Sequence, residues 1–218
     1  METSQTIALV TGASRGLGYA TALELTRRGH HVIGLARTSG GLEDLADEIE
    51  ALGGTSTLVP LDLTDDEGLA RMGRAIFDRW GRLDLLVHAA AHAAPCAPVA
   101  QSSEKDLDKS FAVNARATQR LIVMCDPLLQ AAANGHMIYV TDHHAGDKFF
   151  GNYGASKAAG QAIVESWAAE NEGLKIKVDL FTPDPMPTAT RARFYPGEDA
   201  SKLAPTAREA ARLATLLD

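Results

Sequence analysis

The sequence predicts an α/β fold, a parallel sheet wrapped on both faces by helices in a doubly wound arrangement. Three observations predict it. Short apolar runs alternate with longer helical patterns along the chain. The stretch Thr11-Gly12-Ala13-Ser14-Arg15-Gly16-Leu17-Gly18 lies between an apolar run, Thr6–Val10, and an amphipathic run ending at Arg27-Arg28-Gly29. That order reads as strand, glycine turn, helix. Finally, 218 residues suit one domain with a large core.

The expected strands, in order, are Ile7–Val10, His31–Ala36, Thr57–Leu61, Leu83–His88, Met137–Thr141 and Lys175–Phe181. The expected helices are Gly16–Arg28, Leu42–Leu52, Asp65–Trp80, Glu104–Ala133, Asn152–Asn171 and Ala207–Leu217. Thr64-Asp65-Asp66-Glu67 reads as a capping box, with Thr64 accepting from the backbone and Glu67 reaching back. Thr206-Ala207-Arg208-Glu209 reads as a second box, just after Pro205. Gly29, Gly53, Gly135 and Gly173 fall where helices should stop. Residues 1–218 show no repeat, low-complexity tract or linker, so a single domain is expected. Thr182–Leu203 has four prolines and no clear periodicity, which suits a substrate-covering loop.

Composition excludes several classes. There is no run of eighteen apolar residues and hence no expected membrane span. Met1–Gln5 carries no basic segment, so no signal peptide is expected. Cys96 and Cys125 lack metal spacing, and no metal site is expected. They read as free thiols of a reducing compartment, which points to the cytoplasm. A net charge of −7 without a basic stripe disfavours nucleic acid as a partner.

The glycine turn suits a pyrophosphate. Glycine lets the backbone turn tightly and approach a ligand, and the following helix aims free N–H groups and its positive dipole end at the turn. The first two glycines stand four apart, unlike the two of the common G-x-G-x-x-G pattern. Tyr153 and Lys157, four apart in a helical pattern, share one helical face. An ammonium beside a phenol favours the phenolate, and such a tyrosine can exchange a proton with a hydroxyl or carbonyl. Taken without context, the pair reads first as two surface side chains.

Together, the Thr-Gly-x-x-x-Gly-x-Gly turn, the Tyr153/Lys157 pair and Asn114 between them resemble the short-chain dehydrogenase/reductase family. Phe111-Ala112-Val113-Asn114 is similar to the family's fourth-helix asparagine motif, and Leu61-Asp62-Leu63-Thr64 to its adenine-contact segment. Thr188 falls at the threonine of its Pro-Gly-x-x-x-Thr segment. The stretch Arg191–Leu203, with Pro196-Gly197-Glu198-Asp199, is similar to a bacterial subgroup of uncharacterised oxidoreductases.

The resemblance implies a Rossmann-like domain binding NAD(P) along the carboxyl edge of its sheet, and a small carbonyl or alcohol as substrate. Tyr153 would be the general acid/base. Lys157 would lower its pKa and bind the nicotinamide ribose. Asn114 would hold a water for a proton relay. Gly12, Ser14, Arg15, Gly16, Leu17 and Gly18 would surround the phosphates. Asp62, Leu63, Val113, Ala89, Ala90, Ala91, Pro183, Asp184, Met186 and Thr188 would line the rest of the cofactor. An acidic residue after the second strand would repel a 2′-phosphate; Ala36-Arg37-Thr38 stands there instead. Arg37 with Arg15 could clasp that phosphate and Thr38 donate to it, which favours NADP(H) over NAD(H).

The chain departs from the family at three places. The serine after the fifth strand becomes Asp142, which when ionised accepts but cannot donate. A protonated Asp142, Thr141 or His143 could restore a donor; His143 and His144 otherwise read as solvated loop residues. Asn-Ala-Gly becomes Ala89-Ala90-Ala91, losing a side chain that ties strands together. Pro-Gly becomes Pro183-Asp184, adding a charge that would either favour an oxidised nicotinamide or exclude the ring. The family's usual last edge strand is not expected here. That leaves association through the helices Glu104–Ala133 and Asn152–Asn171, as a homodimer. The expected function is an NADP(H)-dependent oxidoreductase interconverting a carbonyl and an alcohol. The alternative is a nucleotide-binding or regulatory protein on the same fold with weak or lost catalysis.

Overall fold

The computed structural model describes residues 5–218, so most of the Met1–Gln5 stretch read for a signal peptide lies outside the described residues. Its sheet has six parallel strands, β1 (Ile7–Thr11), β2 (His31–Ala36), β3 (Thr55–Pro60), β4 (Leu85–His88), β5 (His136–Val140) and β6 (Lys177–Phe181). They lie in the order β3-β2-β1-β4-β5-β6. The winding therefore reverses between β1 and β4, where a crevice opens at the carboxyl ends. Among the described residues the eight α-helices are α1 (Gly16–Arg27), α2 (Gly40–Ala51), α3 (Asp66–Trp80), α4 (Glu104–Phe111), α5 (Ala117–Gln130), α6 (Gly151–Glu170), α7 (Ala189–Phe194) and α8 (Thr206–Ala214).

Alternate residues of β1 and β2 serve opposite faces. Leu9, Ile33 and Leu35 pack with Leu121, Leu129 and Trp167 under α3, α5 and α6. Ala8, Val10 and Val32 pack with Leu25, Leu42, Ile49 and Leu213 under α1, α2 and α8. Each large aliphatic side chain fully removed from water stabilises the fold by roughly 1.5–3 kcal/mol.

Four local expectations are corrected. Thr64 does not cap α3: its backbone N–H and hydroxyl both donate to Asp62 Oδ1 (2.9 and 2.8 Å), and Asp65 caps instead, accepting from the Gly68 N–H at 2.9 Å. Glu209 does not reach back to Thr206; it is fully buried and accepts from the Asp184 N–H at 3.0 Å. The expected helix Glu104–Ala133 is interrupted by a π-helical turn, Ala112–Arg116, between α4 and α5. Such widened turns cluster at functional sites. The expected loop Thr182–Leu203 contains α7, capped by Thr188 Oγ1, which accepts from the Arg191 N–H at 3.2 Å.

The π-turn packs against α6 with almost no clearance. A Cβ on Gly160 would stand 2.1 Å from the Asn114 carbonyl oxygen and 2.7 Å from the Tyr139 hydroxyl. Glycine is required there by contact, not by its backbone angles.

Candidate active site

The strand–turn–helix at residues 7–27 forms as the sequence predicts, but its glycines serve different ends. Gly12 has φ +73°, and a Cβ on it would stand 3.0 Å from the Ala90 backbone. One on Gly18 would stand 2.4 Å from the Gly12 oxygen. Both glycines thus admit the protein's own backbone rather than a ligand. Gly16, with φ +60°, lies beneath the Thr188 methyl. The turn opens into a cleft of about 650 Å³. Of the expected cofactor residues, Gly12, Ser14, Arg15, Gly16, Leu17, Gly18, Arg37, Asp62, Leu63, Ala89, Ala90, Ala91, Val113, Pro183, Asp184, Met186 and Thr188 line it, as do Tyr153 and Lys157. Thr38 does not; it is exposed beyond the cleft. Arg15 and Arg37 flank the turn, exposed, and their guanidinium groups make no salt bridge or hydrogen bond among the described residues. Asp62 is taken up locally. Burial works against its charge, but Thr64 holds the carboxylate below its ordinary pKa.

The strand tie expected to be lost with Ala89 is supplied one residue earlier. His88 Nδ1 lies 2.7 Å from Thr11 Oγ1, and its Nε2 lies 3.0 Å from Thr118 Oγ1. Thr118 donates its own hydroxyl proton to the Asn114 carbonyl, so His88 Nε2 is the donor in that pair. Burial, then the Lys157 charge, lowers the His88 pKa to about 3, and the ring is neutral.

At the far end of the cleft, Tyr153 is 4 % exposed and its hydroxyl donates to Asp142 Oδ2 at 3.0 Å. Lys157 does not engage it. Its ammonium donates to the Val140 carbonyl (2.7 Å) and the Tyr139 hydroxyl (3.1 Å) and sits 4.4 Å above the Tyr139 ring. The expected lowering of the Tyr153 pKa is therefore overturned: burial raises it, and the Asp142 charge raises it further. Burial brings Lys157 down to about 8, against the pull of Asp142.

Asn114 is buried at the π-turn and has protein partners of its own. Its amide accepts from the His92 N–H (2.7 Å) and donates to the His92 carbonyl (2.9 Å) and Ser156 Oγ (2.9 Å). Both amide hydrogens thus brace the turn after β4, while Oδ1, which accepts once, keeps a second lone pair.

Asp142 has a second partner that sequence reasoning placed in solvent. The His144 backbone N–H donates to its Oδ1 at 2.9 Å, and His144 Nδ1 contacts the same oxygen. His144 Nε2 lies 3.0 Å from the Tyr195 hydroxyl. The imidazole stacks on Phe150 at 4.1 Å, while Phe194 packs 4.8 Å from Tyr153 and 4.9 Å from Phe150. Thr141 pairs with Thr182 at 3.1 Å and His143 is exposed, and both line the cleft beside Asp142. Phe149 points elsewhere, 44 % exposed, at the single positive φ (73°) of a non-glycine among the described residues.

Pro183-Asp184 forms a corner fixed from α8. Buried Glu209 accepts from the Asp184 N–H and from Arg212, and Arg212 donates to the Thr182 carbonyl at 2.7 Å. The Asp184 carboxylate lies 3.5 Å from the Arg208 guanidinium, which offsets its charge. Nearby, Arg193 donates to the Ala93 carbonyl at 2.8 Å, strapping α7 across the cleft to the segment after β4. His88 carried no signal in sequence, because its side-chain partners lie far along the chain.

A family model described as short chain dehydrogenase matches residues 6–199. The short-chain dehydrogenase/reductase FrzI of Cladobotryum sp. is 34% identical over 183 residues, 83% of this chain and 70% of that protein. The structure of a Shigella flexneri 2a short-chain dehydrogenase complexed with NADP superimposes with a TM-score of 0.89 at 28% identity, covering 95% of this chain and 90% of that one. An Escherichia coli CFT073 short-chain dehydrogenase complexed with NADPH gives 0.88 at 29% identity, covering 95% and 89%.

Proposed function

Because this chain belongs to the short-chain dehydrogenase family, we propose that it is an NADP(H)-dependent oxidoreductase interconverting a small-molecule carbonyl and its alcohol, with Tyr153 as general acid/base. One observation carries the reading. A single cleft runs from two unpaired guanidinium groups, Arg15 and Arg37, past the glycine turn to the Tyr153 hydroxyl. The NADP and NADPH held by the two solved relatives support the cofactor.

The residues present fit that cofactor. Free N–H groups at the start of α1 suit a pyrophosphate, and the two arginines suit a 2′-phosphate. The corner at Pro183-Asp184 is pinned back by Glu209 and Arg208. A bound nicotinamide supplies or takes the hydride. Lys157, buried and cationic below its pKa of about 8, binds the adjoining ribose in this reading. Tyr153 exchanges the substrate's oxygen-bound proton. Asp142, where the family has serine, receives the Tyr153 proton during alcohol oxidation and returns it during carbonyl reduction.

NADPH and NADH titrated by fluorescence, followed by a carbonyl panel monitored for NADPH oxidation, test this. NADPH binding with turnover is the expected result. Binding without turnover across the panel would favour a regulatory nucleotide-binding protein, and binding of neither cofactor would overturn the reading. Exposed Leu107, Phe111 and Val123 on α4 and α5 support a homodimer through α4, α5 and α6. A light-scattering mass of twice 23.1 kDa is expected, and that of a monomer or tetramer counts against it. The exposed, unbridged Cys96 supports a reducing cytoplasmic setting.

A further inference from the structure

We propose that His144 and Tyr195 are positioning residues that aim the Asp142 carboxylate at Tyr153, so that the acid/base pair is aligned only when the segment bearing α7 is closed over the cleft. This rests on the reading of Tyr153 and Asp142 given above.

The argument begins with hydrogen-bond direction. Tyr153 donates to Asp142 Oδ2. The other carboxylate oxygen, Oδ1, faces the His144 backbone N–H and His144 Nδ1. A carboxylate oxygen only accepts, so Nδ1 carries a proton, and the imidazole of this proposal carries no second one. Nε2 is then an acceptor, and the Tyr195 hydroxyl, 3.0 Å away, is its donor. Tyr195→His144→Asp142←Tyr153 is thus one chain of hydrogen bonds, drawn from the end of α7, the β5–α6 loop and α6. It fixes the rotation of the carboxylate about Cβ–Cγ, which the Tyr153 contact alone leaves free to swing.

The surroundings hold the same arrangement. Phe150 stacks on the imidazole, and Phe194 covers both Phe150 and Tyr153. Arg191 lies 3.8 Å over the Tyr195 ring and is paired with Glu198, so it leaves no uncompensated charge on the chain. Arg193 ties the same helix to the Ala93 carbonyl. Opening α7 would remove the Tyr195 donor and the Phe194 cover together.

The chemistry balances without a net change at His144. In alcohol oxidation the substrate O–H breaks and its proton joins Tyr153 Oη. The Tyr153 O–H breaks and its proton joins Asp142 Oδ2. The substrate C–H electron pair leaves as hydride to the oxidised nicotinamide of the proposed function. Carbonyl reduction reverses each transfer. The substrate proton arrives as the tyrosine proton leaves, so no phenolate stands beside a carboxylate. That matters because burial and Asp142 both disfavour a free phenolate there.

The test uses the full chain labelled with ¹⁵N-histidine, with the His144 resonance assigned by its loss in His144→Gln. Nitrogen shifts at neutral pH are expected to show the Nδ1–H tautomer. Tyr195→Phe should shift Nε2 while leaving Nδ1 protonated. An Nε2–H tautomer, or an Nε2 shift unmoved in Tyr195→Phe, would overturn the proposal. In turnover of a panel carbonyl with NADPH, His144→Phe keeps the stack on Phe150 but removes the donor, and kcat is expected to fall about 10–100-fold with NADPH affinity unchanged. His144→Asn returns an N–H to Asp142 and should recover most of that loss. An undiminished kcat in His144→Phe, or no recovery in His144→Asn, also counts against it. Failure of NADPH to bind the unaltered protein would instead strike the proposed function, and the tautomer measurement does not depend on it.

Discussion

The two ends of the cleft are built by different means. At the glycine turn, one contiguous stretch of eight residues sets the shape, and backbone atoms do most of the work. At the reactive end, Tyr153, Asp142, His144, Tyr195 and Phe194 come from three separate segments, and side chains do the work. The first end follows the family pattern and the second departs from it. A site made of backbone tolerates few changes, because Gly12 and Gly18 have no room for a Cβ. A site made of side chains can be rewired, provided each lost partner is replaced. Here the missing serine is answered by an aspartate that brings its own histidine.

The largest effect should come from Tyr153→Phe. Removing the acid/base hydroxyl should lower turnover about 10²–10⁴-fold and spare NADPH binding, as measured by steady-state kinetics beside fluorescence titration. Unchanged turnover would show that the reactive end works without its phenol. At the other end, Arg37→Ala or Arg15→Ala removes a charge-assisted contact worth roughly 1.5–3 kcal/mol. NADPH should bind about 10–100-fold more weakly while NADH is little affected. Equal losses for both cofactors would break the assignment of these arginines to a 2′-phosphate.

Between the ends, His88 makes a pH prediction. Its folded pKa is depressed from 6.5 to about 3. As pH falls below 6.5, the unfolded chain takes up a proton that the folded chain refuses, so stability falls with acidification. From pH 7 to 5 this linkage costs about 2 kcal/mol. Urea denaturation should show that loss in the natural protein and a smaller one in His88→Asn. Equal losses in both would mean that His88 is not the group responsible. The smallest effect is expected from Thr38→Ala, whose side chain lies outside the cleft; NADPH affinity should change by less than about 0.5 kcal/mol. A larger drop would extend the phosphate site to Thr38.

The sheet and its helices were largely legible in sequence because they depend on local pattern. All six strands fall within two residues of their expected bounds. The readings that failed did so where another partner, local or distant, outcompeted the expected one. Asp62 captured Thr64, so the cap of α3 moved one residue along. Asp184 and Arg212 claimed Glu209, which a local capping pattern had assigned to Thr206. Lys157 and Tyr153 share a helical face, yet the ammonium turns to Val140 and Tyr139. Four-residue spacing places two side chains side by side; it does not decide which neighbour each one prefers. His88 was hidden for the same reason.

Tyr153 and Lys157 ride on the helix that meets Asn114 at Gly160. A methyl group at that position would act as a shim, and the rod above it would tilt as a unit. The two side chains would keep their spacing to each other while both lost their aim on Asp142 and Val140. Gly160→Ala would therefore resemble an active-site lesion in a molecule whose active-site residues are all intact.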